Sequence, residues 1–454
     1  MKVLKHKRLV YTLVVLLVFV SLEGIDYLYQ HYYFKEYNNK EDNKNVILVD
    51  NETKKMHNIN AVKSGNAENE QADFHGTNAA ILAQNGGQLT LKNSKVSTDG
   101  AYANGVFAYG DDTVIDIEDV KIRTKGDYSG GIMTTGHATM NAKNLDIETF
   151  GNSSAPIRSD RGGGDVTVLG GTYVSNGIGS PAIYSTAKIK VTGAVLDSRL
   201  SEAVVVERGN SVTLHSCIIT GNNEKLNYQS KVKNNIMLYH SMPDASDAFS
   251  EFTSENSTIE SKIGPMFYVT NTTTKINLAK NKLILNDSNK LLAIEKGPWG
   301  PKDNNGGKVV LTAENQVLEG DISVDDISAL NLILSEESSF TGKIESKGKV
   351  YVKLSKGTTW KLTGDSNIDG LTCNDGAIDL NGYKLLVNNK EYTGGDSKGK
   401  AIEIAFDASL NDKVGVDENR MPEPPKDENG NPLPPPEQPK DENGNPLPPP
   451  DKPY

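Results

Sequence analysis

Six segments of similar sequence recur through the middle of the chain: AAILAQNG (79–86), NGVFAYGD (104–111), GGIMTTGH (130–137), APIRSDRG (155–162), PAIYSTAK (181–188) and AVVVERGN (203–210). An aliphatic residue occupies the same place in each, which gives one column: Ile81, Val106, Ile132, Ile157, Ile183 and Val204. The spacings along this column are 25, 26, 25, 26 and 21 residues. A repeat of this length indicates a structural unit that stacks on its neighbours.

Two further apolar columns accompany the first. One lies ten or eleven residues further on in most repeats and comprises Leu91, Ile117, Ala142, Val168, Val191 and Leu214. The other follows five residues later and comprises Val96, Ile122, Ile147, Tyr173, Leu196 and Ile219. Around these columns, apolar and polar residues alternate in short stretches such as QLTLKNSKV and VIDIEDVKI, separated by Gly, Asn, Asp and Ser. Alternation with such turn residues predicts several short strands in each repeat.

Short strands at fixed offsets favour a parallel β-helix, because stacked rungs satisfy each other's backbone groups and bury a continuous core. The pattern continues with drift, since Phe267 falls in the first column and Phe340 matches Trp360 at a spacing of 20. We therefore predict an all-β fold, a single-stranded right-handed parallel β-helix (solenoid). It should have roughly twelve rungs between about residue 78 and about residue 389, a rod on the order of 55 Å long.

The two ends of the chain differ from the repeats. Residues 1–22 place basic residues before an uncharged run from Leu9 to Leu22, which predicts a signal peptide or an N-terminal membrane anchor. Either version predicts an extracellular or cell-surface location. The sequence PKDENGNPLPPP occurs at 425–436 and again at 439–450 and predicts a disordered Pro-rich tail over residues 415–454. Between these ends we expect a linker and N-terminal cap region (23–72), the β-helix (73–390) and a C-terminal cap (391–414).

The composition suits a thin stack of rungs. Hydrophobic residues make up 36% of the chain and there are 42 glycines, which argues against large helical bundles. A net charge of −11 gives no basic surface, so no nucleic-acid partner is expected. No nucleotide-binding, zinc-protease, serine-hydrolase or CxxC motif occurs, and neither a cofactor nor a metal is predicted. Cys217 and Cys373 lie about six rungs apart, too far for a disulfide, so both are expected to be reduced.

The rungs, the turn SAPIRSDRGGG (154–164) and the closing segment TWKLTGDSNIDGLTCNDGAIDLNGYKLLVN (359–388) resemble right-handed parallel β-helix surface proteins of the pectate-lyase-like superfamily. The closing segment is similar to the end of autotransporter adhesin passenger domains. The resemblance covers residues 73–390 and implies adhesion or polysaccharide contact, with some relatives acting as lyases or hydrolases. No outer-membrane barrel segment follows the repeats, so we expect a surface of the Gram-positive type and no autotransporter secretion.

One face of the predicted solenoid carries the candidate functional residues. Because side chains alternate along a strand, the residues directly after the first column face outward. They form an apolar and aromatic stripe: Leu82, Phe107, Met133, Arg158, Tyr184, Val205 and Tyr268. A polar outward column lies two positions further on: Gln84, Tyr109, Thr135, Asp160, Thr186, Glu207 and Thr270. Such a stripe either binds a ligand or is covered, here by residues 23–72 or by the insertion between Asn222 and Ile263.

The first interpretation predicts a non-enzymatic adhesin or glycan-binding protein, with a polysaccharide or cell-surface glycan as partner. Aromatic rings stack on sugar faces, while Arg and carboxylates bond the hydroxyls. The predicted ligand-binding residues are Phe107, Tyr109, Arg158, Asp160, Arg161, Tyr184, Glu207 and Arg208.

The alternative is a polysaccharide lyase or glycoside hydrolase. It rests on Asp160 and Glu207, which share a column two rungs apart, or about 10 Å. This is close to the carboxylate separation of inverting glycosidases, roughly 6.5 to 9.5 Å. A plainer interpretation of the neighbouring pairs Asp160–Arg161 and Glu207–Arg208 is a surface salt-bridge ladder.

Overall fold

The computed structural model describes residues 33–227, 230–241, 249–286, 288–397 and 399–404. Three long parallel sheets run through these residues, and the chain passes from sheet 1 to sheet 2 to sheet 3 before it returns to sheet 1 one rung further on. Parallel strands that stack in chain order around a common core form a parallel β-helix, as predicted. The predicted signal or anchor segment and the Pro-rich tail lie outside the described residues.

The strands differ in length but recur in a constant order. Sheet 1 contains Lys35–Asn39, Ile59–Lys63, Lys95–Thr98, Lys121–Thr124, Asp146–Thr149, Thr172–Ser175, Val195–Ser198, Ile218–Gly221, Thr258–Ser261 and Lys282–Ile284. Sheet 2 contains Ile47–Asp50, Ile81–Gln84, Val106–Tyr109, Ile132–Thr135, Ile157–Ser159, Ile183–Ser185, Val204–Glu207, Ile236–Tyr239, Phe267–Val269, Lys290–Ile294, Asp321–Val324 and Ile344–Ser346. Sheet 3 contains Thr53–His57, Gln88–Lys92, Val114–Glu118, Ala138–Lys143, Gly164–Leu169, Lys188–Thr192, Ser211–His215, Phe249–Glu255, Thr272–Ala279, Gly307–Glu314, Ala329–Ser335, Lys349–Leu354 and Gly370–Thr372.

Two small sheets complete the C-terminal rungs. Sheet 4 contains Val317–Glu319, Ser339–Thr341, Thr359–Lys361 and Ile378–Asp379, and sheet 5 contains Ser366–Ile368, Leu385–Val387 and Lys390–Glu391. The last pair of sheet 5 is antiparallel, which ends the parallel stacking. A short helix, Glu70–His75 (α1), interrupts the second rung between sheets 1 and 2.

The three predicted columns are confirmed by strand register. Ile81 pairs with Val106 in sheet 2, Leu91 with Ile117 in sheet 3, and the pairing continues along both columns. The third column lies in sheet 1, where Val96 pairs with Ile122. All three columns are buried and form one continuous core.

The C-terminal match between two aromatic residues is also confirmed. Phe340 pairs with Trp360 in sheet 4, and their rings stack with centroids 5.7 Å apart. The indole Nε1–H donates to the carbonyl of Gly342, so the buried ring has its polar group satisfied.

A turn residue with positive φ directly follows the sheet 3 strand, or lies one residue beyond it, where the chain turns from sheet 3 to sheet 1. In the repeats seen in the sequence this place is held by Asn93, Asp119, Asn144, Gly170, Gly193 and Ser216. Asn, Asp and Gly tolerate the left-handed conformation, which explains why these residues mark the repeat boundaries. Neighbouring turns also bond to each other, since the Asn144 amide donates to Asp119 Oδ1 at 2.6 Å.

The parallel sheets begin before residue 73, the boundary expected from the repeats. Strands Lys35–Asn39, Ile47–Asp50 and Thr53–His57 already pair with strands of the following rung. These strands are charged and largely exposed at the end of the stack, so their apolar periodicity is weak. Cys217 and Cys373 are both free and buried, as predicted. Among the described residues, no helix combines the length and apolarity that crossing a membrane requires.

Candidate functional site

The outward column of sheet 2 has the predicted register but is mostly covered. Phe107 pairs with Leu82 and Met133, and Arg158 pairs with Tyr184, in the expected order. Leu82, Phe107 and Met133 are nevertheless buried, as are Val205 and Tyr268. Of the two alternatives that the sequence left open, covering by other segments is therefore the one that applies to these residues.

Helix α1 covers the N-terminal part of this face. Asn69 caps it by accepting from the Ala72 amide, and Gly76 ends it at φ 70°. A Cβ at position 76 would lie 2.6 Å from the Phe107 ring, so both the positive φ and the close approach require glycine. The Phe74 carbonyl accepts from Thr135 Oγ1 at 2.6 Å, which joins the helix to sheet 2.

Three of the predicted ligand-binding residues lie beneath this cover or in contact with it. Phe107 is fully buried under the segment that contains α1. The Tyr109 ring lies against His75, with centroids 4.6 Å apart, and the Arg161 guanidinium lies 3.7 Å from the Phe74 ring centroid. Arg161 therefore makes a cation–π contact with α1.

A second cover lies over the C-terminal part of the face. Val205, Met237, Tyr239 and Tyr268 pack with Trp299 in a separate apolar cluster. Trp299 belongs to a loop between sheets 2 and 3, and its ring meets Tyr239 edge-on with centroids 5.0 Å apart. The described part of the predicted insertion also contributes: Val232 packs against the cluster.

Between the two covers is a cavity of about 140 Å³. Sheet 2, the turn before it, the insertion and the Trp299 loop all line it: Ser153, Ala155, Arg158, Asp160, Gly179, Pro181, Tyr184, Glu202, Val205, Ser230, Lys231, Met237, Tyr239, Ser241 and Trp299. Three of the predicted residues, Arg158, Asp160 and Tyr184, thus line a common site on the face that the sequence predicted to point outward.

Arg158 lies between two carboxylates at one side of the cavity. Its Nη2 is 2.9 Å from Asp73 Oδ1 on α1 and 3.0 Å from Asp160 Oδ2. Arg158 is only 8% exposed, and its Nη1 is buried without a hydrogen-bond partner among the described residues. Burial by itself would lower the pKa of Arg158. The charges of Asp73 and Asp160 raise this pKa by a larger amount, so the net shift is upward. Arg158 therefore contributes a permanently charged, largely buried guanidinium to the cavity wall.

A hydrogen-bonded group of tyrosines and Glu207 lies on the next rungs. Tyr239 is within hydrogen-bonding range of both Tyr184 and Glu207, and burial raises the pKa of each tyrosine well above its ordinary value. Glu207 accepts from the Ser241 amide at 3.2 Å and is not among the residues that line the cavity. Asp160 and Glu207 both raise the pKa of Tyr184, so both carboxylates lie near this ring, but only Asp160 borders the cavity.

The last predicted residue, Arg208, lies beside the same group. Its Nη2 is 2.7 Å from His240 Nε2, and His240 Nδ1 is 3.7 Å from Glu207 Oε2. His240 thus lies between Arg208 and Glu207 and contacts both side chains.

Glu202 is a buried carboxyl group in the cavity wall. It is 1% exposed and accepts from Ser201 Oγ at 2.5 Å, Ser230 Oγ at 2.6 Å and Asn234 Nδ2 at 3.4 Å. No cation pairs with it among the described residues. Burial raises the pKa of Glu202 even though these hydrogen bonds lower it. Burial therefore disfavours the charged form of Glu202 relative to an exposed carboxyl, and its bond with Ser230 joins the insertion to the solenoid.

Glu202 should make stability fall as the pH rises. A carboxyl whose pKa is raised by folding contributes fully below its ordinary pKa of 4.5, and this contribution is lost as the pH rises through the folded-state value. We expect Glu202→Gln, which cannot ionise, to lose less stability than the wild type between about pH 4 and about pH 8 in urea unfolding. Glu224→Gln, at an exposed position of the same insertion, is the control and should follow the wild type. Parallel curves for wild type and Glu202→Gln would contradict the assignment.

Several site residues were missed by sequence reasoning. Asp73, Glu202, Lys231 and Trp299 come from a short helix, a turn and two insertions, none of which follows the repeat. Tyr239 instead ends a strand of sheet 2 and pairs in register with Glu207. Two signals were available in the sequence. The spacing from Ile183 to Val204, which contains Glu202, is shortened to 21 residues, and a long insertion follows Asn222. Neither signal specifies which way these side chains point.

The comparisons with known proteins leave the site to be interpreted from its own chemistry. No protein-family model matches this chain, and no curated protein matches it. Within the part of the chain that the structure describes, no group of three or more His, Cys, Asp or Glu side chains has the arrangement needed to hold a metal ion.

Proposed function

We propose that this protein is an exported, cell-surface or secreted β-helix protein that binds a neutral glycan through the cavity and does not act on it chemically. One observation carries the proposal: the aromatic rings of Tyr184, Tyr239 and Trp299 line the same cavity as the Arg158–Asp160 ion pair. Sugar rings combine apolar faces with hydroxyl edges, so they suit walls of Tyr and Trp that are interrupted by a few fixed polar groups.

The charges around the cavity favour a neutral ligand. Arg158 is already paired with Asp73 and Asp160, so an anion that approached it would meet two carboxylates. Burial raises the pKa of Glu202, which makes its charged form less favourable than that of an exposed carboxyl. A hydroxyl group can accept from Arg158 and donate to Asp160 at the same time, which neither a carboxylate nor an ammonium group can do.

The size of the cavity suits one sugar residue. A cavity needs a volume of roughly 10–15 Å³ to hold one buried water molecule. A cavity of about 140 Å³ therefore holds on the order of ten water-sized groups, which corresponds to a single small ring with its substituents. A longer glycan would need to leave the cavity and continue along the protein surface.

The proposed location rests on the two ends of the chain. The basic residues before the apolar run Leu9–Leu22 support export or N-terminal anchoring. The repeated PKDENGNPLPPP segment supports a solvated spacer, because Pro-rich sequences stay extended.

Binding can be measured through tryptophan fluorescence. The chain has two tryptophans, of which Trp299 lines the cavity and Trp360 is fully buried against Phe340. We expect titration with neutral oligosaccharides of glucose, mannose, galactose and N-acetylglucosamine to change the Trp299 emission for at least one of them. Calorimetry of the same titrations should show no binding of uronic-acid oligosaccharides.

Arg158→Lys tests the assigned donor. Lysine keeps a cation beside the two carboxylates but loses the planar set of donors, so affinity should fall roughly 2- to 12-fold, the value of one net hydrogen bond. Arg123→Lys is the matched control, because Arg123 pairs with Asp146 on sheet 1 and does not line the cavity. Equal affinities for wild type and Arg158→Lys would show that the ligand binds elsewhere.

A further inference from the structure

An exposed aliphatic patch lies at the corner where the chain turns from sheet 3 to sheet 1. It consists of Leu169, Val195 and Ile218, which are 47%, 40% and 55% exposed. The three residues come from successive rungs, because Val195 pairs with Ile218 in sheet 1 and Leu169 pairs in sheet 3 with Thr192, three residues before Val195. None of them lines the cavity. Large aliphatic side chains that share an exposed surface indicate a site of contact with another molecule or segment.

The turns at this patch are small and open. In its three rungs the chain passes round the corner at Gly170, Gly193 and Ser216. A Cβ at Gly170 or Gly193 would meet nothing within 4 Å, so no other part of the described chain lies against these two turns. A second surface can therefore approach the patch closely.

Charged residues continue the corner on both sides of the patch. The last position of each sheet 3 strand forms a column that pairs from rung to rung: Lys92, Glu118, Lys143, Leu169, Thr192, His215, Glu255, Ala279 and Glu314. Thr192, in the same rung as Val195, is at the centre of this column. Lysines lie two and four rungs before the centre, and glutamates lie two and four rungs after it.

We propose that this corner is the surface through which a second copy of the chain binds, with the two solenoids side by side and antiparallel about a two-fold axis at Val195. Such an axis places each rung opposite the rung that lies equally far on the other side of Val195. Val195 then meets the same residue of the second copy, and the rung of Leu169 lies opposite the rung of Ile218, so the patch covers itself. The interface is independent of glycan binding, because the cavity lies on another face.

The charges of the corner are self-complementary in this arrangement. Lys143 of one copy lies opposite Glu255 of the other, and Lys92 lies opposite Glu314, because the members of each pair are equally far from the axis. Both lysines also pair with Glu118 of their own chain, which holds them at the corner. Opposite charges that face each other across a contact favour the matching partner and the matching register.

The turn column supports the same pairing. Asp119 and Lys280 each follow a sheet 3 strand, three rungs before and three rungs after the axis, with φ of 55° and 54°. They therefore lie opposite each other as well. One pair of like charges remains, since Lys121 lies opposite Lys282. The Nζ of Lys121 is 3.9 Å from Asp146 Oδ2, which offsets part of its charge.

The antiparallel arrangement is favoured over a parallel one. Parallel solenoids would place the sheet 3 column of one copy against the sheet 1 column of the other, rung for rung, and Lys92 would then face Lys95. The antiparallel contact extends over nine rungs, or about 38 Å at ~4.8 Å per rung. With a width of about 10 Å it buries on the order of 400 Å² per copy, which is small for a stable dimer. We therefore expect weak association, with a dissociation constant of roughly 10–100 µM.

Sedimentation velocity of the full chain, from about 1 µM to about 200 µM, tests the proposal. The wild type should pass from monomer to dimer over this range, and more readily at low salt, because the facing charges are exposed. Val195→Lys places two lysines at the axis and should weaken the dimer about tenfold or more. Leu48→Lys is the matched control and should dimerise as the wild type does, because Leu48 is 43% exposed on a strand of sheet 2, away from the corner.

The exchange of one charge pair tests the antiparallel register. Lys143→Glu and Glu255→Lys should each weaken the dimer about fivefold at low salt, because each substitution creates two contacts between like charges. The double variant reverses both charges and should recover most of the affinity. Within one chain the two residues are four rungs, or about 19 Å, apart, so this recovery requires a second copy.

Three results would overturn the proposal. A wild type that stays monomeric at the highest concentration leaves the patch to another segment of the chain or to a different protein. Dimers that Val195→Lys does not weaken form elsewhere on the solenoid. A double charge variant as weak as the single variants contradicts the antiparallel pairing. Circular dichroism and thermal unfolding of each variant show that the comparison is made on folded protein.

Discussion

Replacing Arg158 with methionine should lower the free energy of unfolding by roughly 3–5 kcal/mol, because it leaves two carboxylates without their shared cation in a largely buried place. The side chains of Asp73 and Asp160 are only 15% and 19% exposed. The midpoint of urea unfolding at neutral pH measures the effect. The penalty should shrink at acid pH, where both carboxylates are protonated and need no cation.

Two variants show whether charge is the cause. Combining Arg158→Met with Asp73→Asn and Asp160→Asn removes the charges together and should recover most of the loss, since buried ion pairs are often replaceable by neutral groups. Arg123→Met removes an arginine whose ion pairs are more exposed, at 36% for its own side chain, and should cost less than about 1 kcal/mol. If the triple variant is as unstable as the single one, lost packing and not unpaired charge explains the effect.

Substituting Gly151 with alanine should cost about 3 kcal/mol or more, through direct overlap between rungs. A Cβ at this position would lie 1.9 Å from the carbonyl oxygen of Gly126. The same close approach recurs along the turn, at 2.1 Å for Gly100, 1.9 Å for Gly126 and 1.8 Å for Gly177. These rungs are joined on both sides by hydrogen-bonded sheets, so they cannot separate locally to admit a methyl group. Urea unfolding measures the loss.

Gly110→Ala is the matched control for Gly151→Ala. Gly110 has φ 87°, but a Cβ there would meet nothing within 4 Å. Alanine at this position should therefore cost only the strain of a left-handed backbone, roughly 1–2 kcal/mol. Similar losses in the two variants would mean that backbone freedom, and not contact between rungs, explains the glycine at position 151.

The sequence was sufficient to predict the solenoid and the direction of its side chains. Strand register depends on which residues face inward, and one slip would move every apolar side chain to the wrong face. The aliphatic columns therefore predicted the pairing of Ile81 with Val106 and of Phe340 with Trp360. Gly100, Gly126, Gly151 and Gly177, in the turn between sheets 1 and 2, also recur at spacings of 25 or 26 residues. Only the tertiary structure shows that a carbonyl group of the preceding rung lies where a Cβ atom would be.

The candidate site was predictable only in part. Arg158, Asp160 and Tyr184 lie in columns that the repeat defines, so their shared face followed from periodicity. Asp73, which pairs with Arg158, and the cavity-lining residues Ser230 and Trp299 belong to segments outside the repeat. Periodicity carries no information about where such segments pack.

The amino-acid sequence alone thus determined the rungs, the core and the outward position of the candidate residues, because strand alternation and turn chemistry are local properties that repeat along the chain. Folding in three dimensions determined which parts of the outer face are covered and that a cavity remains between α1 and the Trp299 loop. These features depend on contacts between residues far apart in sequence, such as Asp73 with Arg158 and Glu202 with Ser230. The interaction energies of these contacts arise only when folding brings the groups together and removes water from around them.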